Sequence, residues 1–331
     1  MILVNEEEDN IKKKEMKKKQ NERLFITNKR GFDVVFDTLG ASIYSINVDD
    51  ICMTLSPKDE EVFAKENLYY GKTIGPIPNR VKDGIIIINN KTYQLDKNEG
   101  NNLLHSSKNG IHNQVFDYQA NEGGECIEVH FSYKKKDMED GLPGNIRYDV
   151  HYYVDKKENK LSILFEAKSD QDTILGMTNH AYFNLGEDSI DNLKLTIPSH
   201  SFVETRKEDL IPLRIREILP CLDFNNAKYI NKDINDIYLQ NHRSLGYDHC
   251  YLLDEGKMRL ESDKYQLDIT TDFKALQIYS DNYEDGVEMT NTNKKNHRGV
   301  AIEPQDEILN RKVLEKDKVY RRRINYCFIK K

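Results

Sequence analysis

Short stretches in which apolar and polar residues alternate recur along most of this chain, and they restrict the fold more than any other feature of the sequence. The pattern is clearest at residues 127–133, 161–167 and 267–273, where apolar residues occupy most alternate positions. Because successive side chains of a β-strand point to opposite faces, a period of two predicts strands with one buried face. The stretch from Ile85 to Leu95, centred on Asn89-Asn90, predicts a hairpin whose turn accepts positive φ angles.

Long amphipathic helices are missing from the pattern. The candidates are short, at Glu60–Glu66 and Ala227–Leu239. Strands do not alternate with helices of about 10–15 residues, as βαβ units require. Many short strands with turns between them are typical of an antiparallel sandwich or barrel, so the sequence predicts an all-β fold of one of these kinds.

The strand pattern also predicts the domain organisation. It runs from about residue 24 to residue 329 without a proline- or glycine-rich linker or an internal repeat. We therefore expect one β domain over residues 24–331. Residues 5–23 contain an acidic block followed by basic blocks and almost no apolar residues, so we assign residues 1–23 to a charged, solvated N-terminal tail. A basic interaction arm is the alternative.

Composition argues against several classes of protein. Lys plus Arg number 49 and Asp plus Glu number 56, giving a net charge of −7 at pH 7, so neither nucleic acid nor an anionic membrane is an expected partner. No apolar run approaches the ~20 residues of a membrane span, and Met1 to Val4 is too short for a signal peptide. Five widely spaced cysteines without a CxxC pair favour reduced thiols. We expect a cytoplasmic protein, a monomer or a homodimer.

Several catalytic motifs are absent from the sequence. It contains no phosphate-cradling glycine loop, no GxSxG elbow and no HExxH. His242 and His249 are too far apart for an i, i+4 metal-binding pair, so the sequence gives no local sign of a metal site, and no metal and no cofactor are expected. A metal cluster assembled from distant residues is the alternative that the sequence leaves open. What remains is a set of polar segments that interrupt the β pattern; they carry Asn79-Arg80, His105, His180, Asp248 and Glu303.

Three of these residues have both a structural and a functional interpretation, of equal weight only for Arg80; for Asp248 and His105 the structural one is favoured. Arg80 offers a planar fork of donors suited to vicinal hydroxyls or carboxylates, or else it caps a turn. Asp248 precedes an apolar strand and is either an acceptor for hydroxyls or a turn-forming aspartate. A lone histidine such as His105 is more often structural than functional, and His112, in a glycine-containing turn, is expected to be exposed.

His180 and Glu303 support the sharper hypothesis of proton transfer. A histidine whose pKa is near neutrality can give or take a proton at cellular pH. Glu303 follows the apolar run Val300-Ala301-Ile302 and precedes Pro304, a place where burial would raise the carboxyl pKa and make the carboxylate a better base. A satisfied core histidine and a salt-bridged glutamate are the alternatives, and the residues alone leave both open.

Together and in order, the polar segments resemble the aldose 1-epimerase (galactose mutarotase) family. The most specific match is TNHAYFNL at residues 178–185, where the family has TNHxYFNL. The resemblance covers about residues 24–329, and its other motifs are NR at 79–80, NLLH at 102–105, DH at 248–249 and EPQ at 303–305.

The resemblance implies a fold, a reaction and a set of roles. The fold is a large antiparallel β-sandwich, and the reaction interconverts the α- and β-anomers of a free hexose such as galactose or glucose. Glu303 would act as general base on the anomeric hydroxyl, His180 as general acid on the ring oxygen, and His105 as a hydrogen-bonding group near that oxygen. The residues implied to bind the sugar are Arg80, Asp248, Asn79 and Gln305.

Two departures from the family pattern leave other functions open. Ser106 and Ser107 stand where the family has glycines, and Pro76 stands where it has an arginine. Serine lacks the conformational freedom of glycine, so we expect an altered loop or a narrower entrance. A non-catalytic sugar-binding or regulatory protein on the same fold is therefore the main alternative. A glycoside hydrolase is disfavoured, because it generally needs two carboxylates and the motifs offer one with a histidine.

Overall fold

Antiparallel strands are the main regular element of the computed structural model, which describes residues 21–331. The first thirteen strands, numbered in chain order, are β1 Arg23–Thr27, β2 Phe32–Asp37, β3 Ser42–Val48, β4 Ile51–Cys52, β5 Thr73–Ile74, β6 Arg80–Val81, β7 Ile85–Ile88, β8 Lys91–Gln94, β9 Leu103–Leu104, β10 Asp117–Glu122, β11 Cys126–Lys135, β12 Ile146–Asp155 and β13 Lys160–Ser169. The other fourteen are β14 Thr173–Ile174, β15 Thr178–Asn179, β16 Tyr182–Phe183, β17 Lys194–Thr196, β18 Ser201–Thr205, β19 Pro212–Glu217, β20 Lys228–Tyr229, β21 Asp248–Leu252, β22 Lys257–Glu261, β23 Tyr265–Thr271, β24 Ala275–Tyr279, β25 Val300–Gln305, β26 Val313–Leu314 and β27 Val319–Lys330.

Helices are few and short, as the sequence predicts. Within the described residues the α-helices are α1 Glu60–Phe63 and α2 Ile237–Gln240. The 3-10 turns are Lys82–Gly84, Ser107–Asn109, Ile111–Asn113, Ile190–Asn192, Pro220–Leu222 and Ile230–Asp233. The predicted helix at 227–239 is wrong in extent, because a strand, a 3-10 turn and α2 divide this region and Asp236 caps α2. No helix among residues 21–331 has the length and apolar character needed to cross a membrane.

Two large sheets form the body of the molecule. One has nine strands in the order β10-β11-β12-β13-β27-β23-β22-β17-β20, and the other has six in the order β16-β25-β24-β21-β18-β19. A hydrophobic cluster joins their inner faces, with Val129, Phe165 and Ile324 from the first sheet and Leu276 and Ile302 from the second. Two sheets that share one core in this way form a β-sandwich, which confirms the predicted all-β class.

The alternating stretches form strands in which buried and more exposed side chains alternate as expected. In β11 the side chains of Ile127, Val129 and Phe131 are buried while their neighbours are half-exposed. The predicted hairpin is confirmed as β7 and β8, with φ angles of 48° at Asn89 and 64° at Asn90. These two asparagines adopt the left-handed conformation that a two-residue hairpin turn requires.

Residues 1–20 of the predicted N-terminal tail, which spans residues 1–23, lie outside the described residues. Arg23 is the first residue of β1, which pairs with β2. The side chain of Arg23 contacts the buried carboxylate of Asp37.

Candidate active site

One cavity of about 310 Å³ collects most of the residues that the sequence analysis singled out. Its walls come from the loop before β6, the end of β9, the turn between β15 and β16, and strands β21, β24 and β25. The predicted site residues that line it are Asn79, Arg80, His105, His180, Asp248 and Glu303.

Strand pairing places the two acidic residues of this set. Glu303 lies on β25, and Gln277 of β24 is its cross-strand partner. On the other side of β24, Asp248 of β21 pairs with Tyr279. Because side chains alternate along each strand, this register brings Glu303, Gln277 and Asp248 to one end of the sheet beside the cavity.

The backbone around His180 is fixed by its neighbours on both sides. β15 pairs with β5, and the His180 N–H donates to the Lys72 carbonyl at 2.9 Å. The buried Asn179 side chain donates to the Gly71 carbonyl at 2.8 Å and accepts the Ala181 N–H at 3.1 Å. Asn179 therefore holds the turn that directs the His180 ring into the cavity.

His105 follows β9 at the end of its pairing with β6. Its backbone N–H donates to the Asn79 carbonyl at 3.2 Å, and its Nδ1 accepts the Asn79 N–H at 3.1 Å. An Nδ1 that accepts a hydrogen bond carries no proton, so the proton of the neutral ring is on Nε2. Burial, with the nearby His180, lowers the pKa of His105 well below its usual value, which keeps the ring neutral.

The serines that replace the family's glycines keep the left-handed backbone. The φ angles are 50° at His105, 65° at Ser106 and 56° at Ser107. The Ser106 Oγ accepts the Ile77 N–H at 2.7 Å and lies 3.2 Å from the Ile77 carbonyl. Serine therefore adopts the conformation that glycine would favour, and its hydroxyl ties the loop to the segment before Asn79.

His180 and Glu303 contact each other inside the cavity. The distance from His180 Nε2 to Glu303 Oε1 is 3.4 Å, and both side chains are at most 5% exposed. Burial raises the pKa of Glu303 well above its usual value, and the Asp248 carboxylate raises it further. Burial lowers the pKa of His180 to about 4. Desolvation thus favours a protonated Glu303 beside a neutral His180, a pair that shares one transferable proton.

Arg80 is held by two carboxylates. Its Nε and Nη2 donate to Glu99 at 2.7 and 3.0 Å, and its Nη1 donates to Asp248 at 3.3 Å. The Gln277 amide connects this cluster to Asn79, because its Oε1 accepts from Asn79 Nδ2 at 2.9 Å while its Nε2 donates to Asp248. These hydrogen bonds orient the polar groups of one wall of the cavity.

Glu99, Gln277 and Tyr69 line the cavity but were not predicted as site residues. Glu99 lies six residues before His105 in the sequence, and Gln277 lies on β24 beside Glu303. Tyr69 stacks on the His180 ring, with 5.6 Å between ring centroids and 26° between planes.

Two sequence expectations differ from the structure. Gln305 is buried on β25 with its amide 3.5 Å from the Cys250 Sγ, and it is not among the residues that line the cavity. The prediction that His112 is exposed is wrong. Its side chain is fully buried, its Nε2 contacts the Glu66 carbonyl, and its ring packs against Tyr69.

The donor atoms of His105, His180 and Glu303 lie within 4.8 Å of one another. Two imidazoles and a carboxylate are donors that a divalent transition metal accepts, so these residues form the candidate metal-binding set of the cavity. Without a metal, the chemistry of the same three groups suits them to supply a proton, accept a proton and donate a hydrogen bond.

The sequence of this chain matches a family model and the sequences of known proteins. A sequence model described as Aldose 1-epimerase matches residues 22–327. The aldose 1-epimerase of Haemophilus influenzae is 27% identical over 300 residues, covering 85% of each chain. The galactose mutarotase of Sus scrofa is 26% identical over 260 residues, covering 74% of this chain and 72% of its own.

A solved structure agrees with these matches. The galactose 1-epimerase from Lactobacillus acidophilus NCFM superposes with a TM-score of 0.87 at 26% identity, covering 97% of this chain and 98% of that one. The family match spans nearly all of the described residues, and the fold extends over the same length. The chain belongs to the aldose 1-epimerase family.

Proposed function

We propose that this protein is an aldose 1-epimerase that interconverts the anomers of a free hexose, with His180 and Glu303 as its proton-transfer pair. The observation that carries the proposal is the buried contact of 3.4 Å between His180 Nε2 and Glu303 Oε1 at the cavity wall. Membership of the family supports the reaction class, and the relatives named galactose mutarotase point to galactose as one substrate.

The reaction needs one proton removed and one proton supplied. The Glu303 carboxylate takes the proton of the C1 hydroxyl, the bond between C1 and the ring oxygen breaks with its electron pair going to that oxygen, and His180 protonates the oxygen. Rotation about C1–C2 presents the other face of the aldehyde. The C5 hydroxyl then adds to C1 while His180 recovers its proton and Glu303 returns the other to the C1 oxygen.

The shared proton of the pair matches this requirement. Burial favours the proton on Glu303 and a neutral His180. Transfer of that proton across the contact gives the carboxylate and imidazolium that ring opening uses. Sugar hydroxyls that enter the cavity are dipoles that stabilise this charged form, so the site is set for catalysis when the substrate binds.

The remaining polar groups supply binding and orientation. His105 offers its Nε2–H as a donor that needs no change of protonation. Arg80, Asp248 and Gln277 offer fixed donors and acceptors of the kind that bind vicinal hydroxyls. In this proposal Asn79 acts through Gln277, whose amide it orients.

Polarimetry of freshly dissolved α-D-galactose and α-D-glucose tests the proposal. We expect the protein to accelerate the approach to the equilibrium rotation well beyond the rate in buffer, before and after dialysis against EDTA. A rate equal to that of buffer across several aldoses would reject the enzyme proposal. Loss of activity on dialysis, restored by a divalent metal, would instead assign the histidines and Glu303 to a metal.

Variants of the pair test the roles of its members. Glu303→Gln and His180→Asn should each lower kcat by about 10²–10⁴-fold, the usual contribution of one positioned proton transfer. His130→Asn and Glu204→Gln are matched controls, since His130 contacts Asp149 and Glu204 pairs with Arg216, both outside the cavity. Full activity of either pair variant, with folding verified by circular dichroism, would remove that residue from the mechanism.

A further inference from the structure

A second cavity lies beside the candidate active site and shares its supporting segments. Its volume is about 330 Å³, at the small end of the range of ligand pockets. Pro78 in its wall directly precedes Asn79 and Arg80, Gly176 lies four residues before His180, and Asp306 follows β25. The aliphatic part of its lining is Pro78, Ile174, Leu175, Val313, Leu314 and Val319.

The charged lining of this second cavity is mainly cationic. It contains Lys274, Arg311, Lys312, Arg321 and Arg322, against Asp306 and Glu307. This excess contrasts with the net charge of −7 of the whole chain. It is therefore a local property of the cavity, of the kind that attracts anions.

Part of this charge is already neutralised. Arg322 forms an ion pair with Asp306 at 2.7 Å, and Arg321 pairs with Glu166 outside the cavity. In contrast, Arg311, Lys274 and Lys312 form no ion pair within residues 21–331. Three cations thus face one cavity whose only other carboxylate, in the part of the chain described, is that of Glu307.

Arg311 is the central group of the three. It is half-buried, and its Nη2 donates to the carbonyl oxygens of Pro78 at 2.8 Å and Arg80 at 3.4 Å. Its Nε and Nη1 have no acceptor among the described residues. Burial lowers the pKa of Arg311 to about 10, so the group is still a cation at neutral pH. A desolvated guanidinium with free donors gains most from an anion that accepts two hydrogen bonds.

We propose that this second cavity binds a small organic anion, with a carboxylate or phosphate group on Arg311 and an apolar body against the aliphatic wall. Lys274 and Lys312, which are exposed, contribute attraction at the rim. Only a ligand with an apolar part covers the aliphatic lining, and inorganic anions have no such part. The ligand is thus distinct in class from the neutral sugar of the other cavity.

Isothermal titration calorimetry with four probes of related shape tests the proposal. Phenyl phosphate and benzoate carry both an anion and an apolar body, benzyl alcohol carries the body alone, and inorganic phosphate carries the anion alone. We expect one of the first two to bind with 1:1 stoichiometry and at least ~10-fold more tightly than benzyl alcohol or inorganic phosphate. One charge-assisted hydrogen bond supplies this ratio over benzyl alcohol, and burial of the phenyl ring supplies it over inorganic phosphate. The tighter of the two identifies the anionic group.

The location is tested by substitution and by competition. Arg311→Met should weaken binding of the tighter probe by ~10-fold or more. Because Arg311 also holds the Pro78 and Arg80 carbonyls, a Lys274→Met/Lys312→Met double variant and a cavity-filling Val313→Trp variant should weaken it independently. Lys232→Met, at an exposed lysine outside this lining, is the control.

Four outcomes would overturn the proposal: no binding of either phenyl phosphate or benzoate, equal affinity for benzyl alcohol or inorganic phosphate, unchanged affinity in Arg311→Met and in the other two variants, or displacement of the anion by D-galactose. The measurement uses binding alone, so it is independent of whether the protein has mutarotase activity. Loss of the second site and loss of the proposed function would therefore be distinguishable.

Discussion

At the residue scale, burial sets the charge of each group in the candidate active site. Glu303, His180 and His105 are all nearly inaccessible to solvent. Burial raises the pKa of the glutamate and lowers the pKa of both histidines, and each shift favours the neutral form. Arg80, in contrast, is held charged there by ion pairs with its two carboxylate partners. The proposed mechanism therefore depends on one mobile proton and not on a fixed ion pair between His180 and Glu303.

A bell-shaped pH dependence of kcat/KM follows from this proton. Activity requires one proton on the pair, so it should fall at low pH as His180 takes up a second proton, with an apparent pKa of about 4. At high pH the shared proton leaves, and the raised pKa of Glu303 places this limb above the usual range of a glutamate. Polarimetric rates at a series of pH values, corrected for buffer catalysis, would measure both limbs. An unchanged profile in Glu303→Gln would contradict the assignment.

At the element scale, short strands and tight loops position groups from distant parts of the chain. β6 pairs with β9, so Arg80 and His105 enter the cavity side by side, while β21, β24 and β25 supply Asp248, Gln277 and Glu303. A change at Arg80, which the proposed mechanism uses only to bind the sugar, should alter binding more than proton transfer.

Arg80→Lys separates binding from catalysis. Lysine keeps the charge but loses the planar fork that contacts Glu99 and Asp248. We expect KM to rise by about 10–100-fold, equivalent to one hydrogen bond to a charged group, with kcat changed only a few-fold. Arg259→Lys, which disturbs a similar two-point contact to Asp268 on the other sheet, is the matched control. A kcat loss as large as that of Glu303→Gln would refute the separation.

The loop of left-handed serines gives a prediction on stability. Ser107→Gly should raise the free energy of unfolding by about 1 kcal/mol, because glycine relieves the steric cost of a φ angle of 56°. Ser106→Gly gains the same relief but loses the hydroxyl contacts to Ile77, so its net gain should be smaller or negative. Urea unfolding of both variants measures the difference. Destabilisation by Ser107→Gly would show that the serine side chain is required.

At the scale of the whole molecule, the sequence predicts most of the fold because one buried face per strand produces a visible period of two. The same property explains the hairpin at Asn89-Asn90. Glu99 was missed because its pairing with Arg80 depends on how β6 and β9 meet, and Gln277 because its place depends on the register of β24 and β25. His112 was misjudged because a glycine-containing turn is usually exposed, whereas this one is folded beneath Tyr69.

Stability should also depend on a buried lysine. Lys72 is fully buried with Nζ donating to the Lys65 carbonyl, and burial lowers its pKa from 10.5 to about 8. Between these two pH values the unfolded chain binds more protons at this position, so this group's contribution to stability rises as pH increases from 8 to 10.5, by on the order of 3 kcal/mol.

Comparison of the wild type with Lys72→Met isolates this contribution. We compare the free energy of unfolding of Lys72→Met with that of the wild type at each pH. This comparison should be most favourable to the variant at pH 7, and it should become more favourable to the wild type as the pH rises through 9 and 10. Lys232→Met reports the effect of removing one exposed lysine. A difference between wild type and Lys72→Met that is independent of pH would show that the lysine is charged to the same extent in both states.

The central position of β27 has a consequence for synthesis on the ribosome. This strand lies between β13 and β23, so that Lys160 faces Cys327 in the completed sheet. Until β27 has been translated, the nine-stranded sheet consists of two unjoined halves, and β13 and β23 present open edges to other chains. The nascent protein therefore has its greatest tendency to aggregate just before its longest strand emerges, although nearly all of its core residues have already been made.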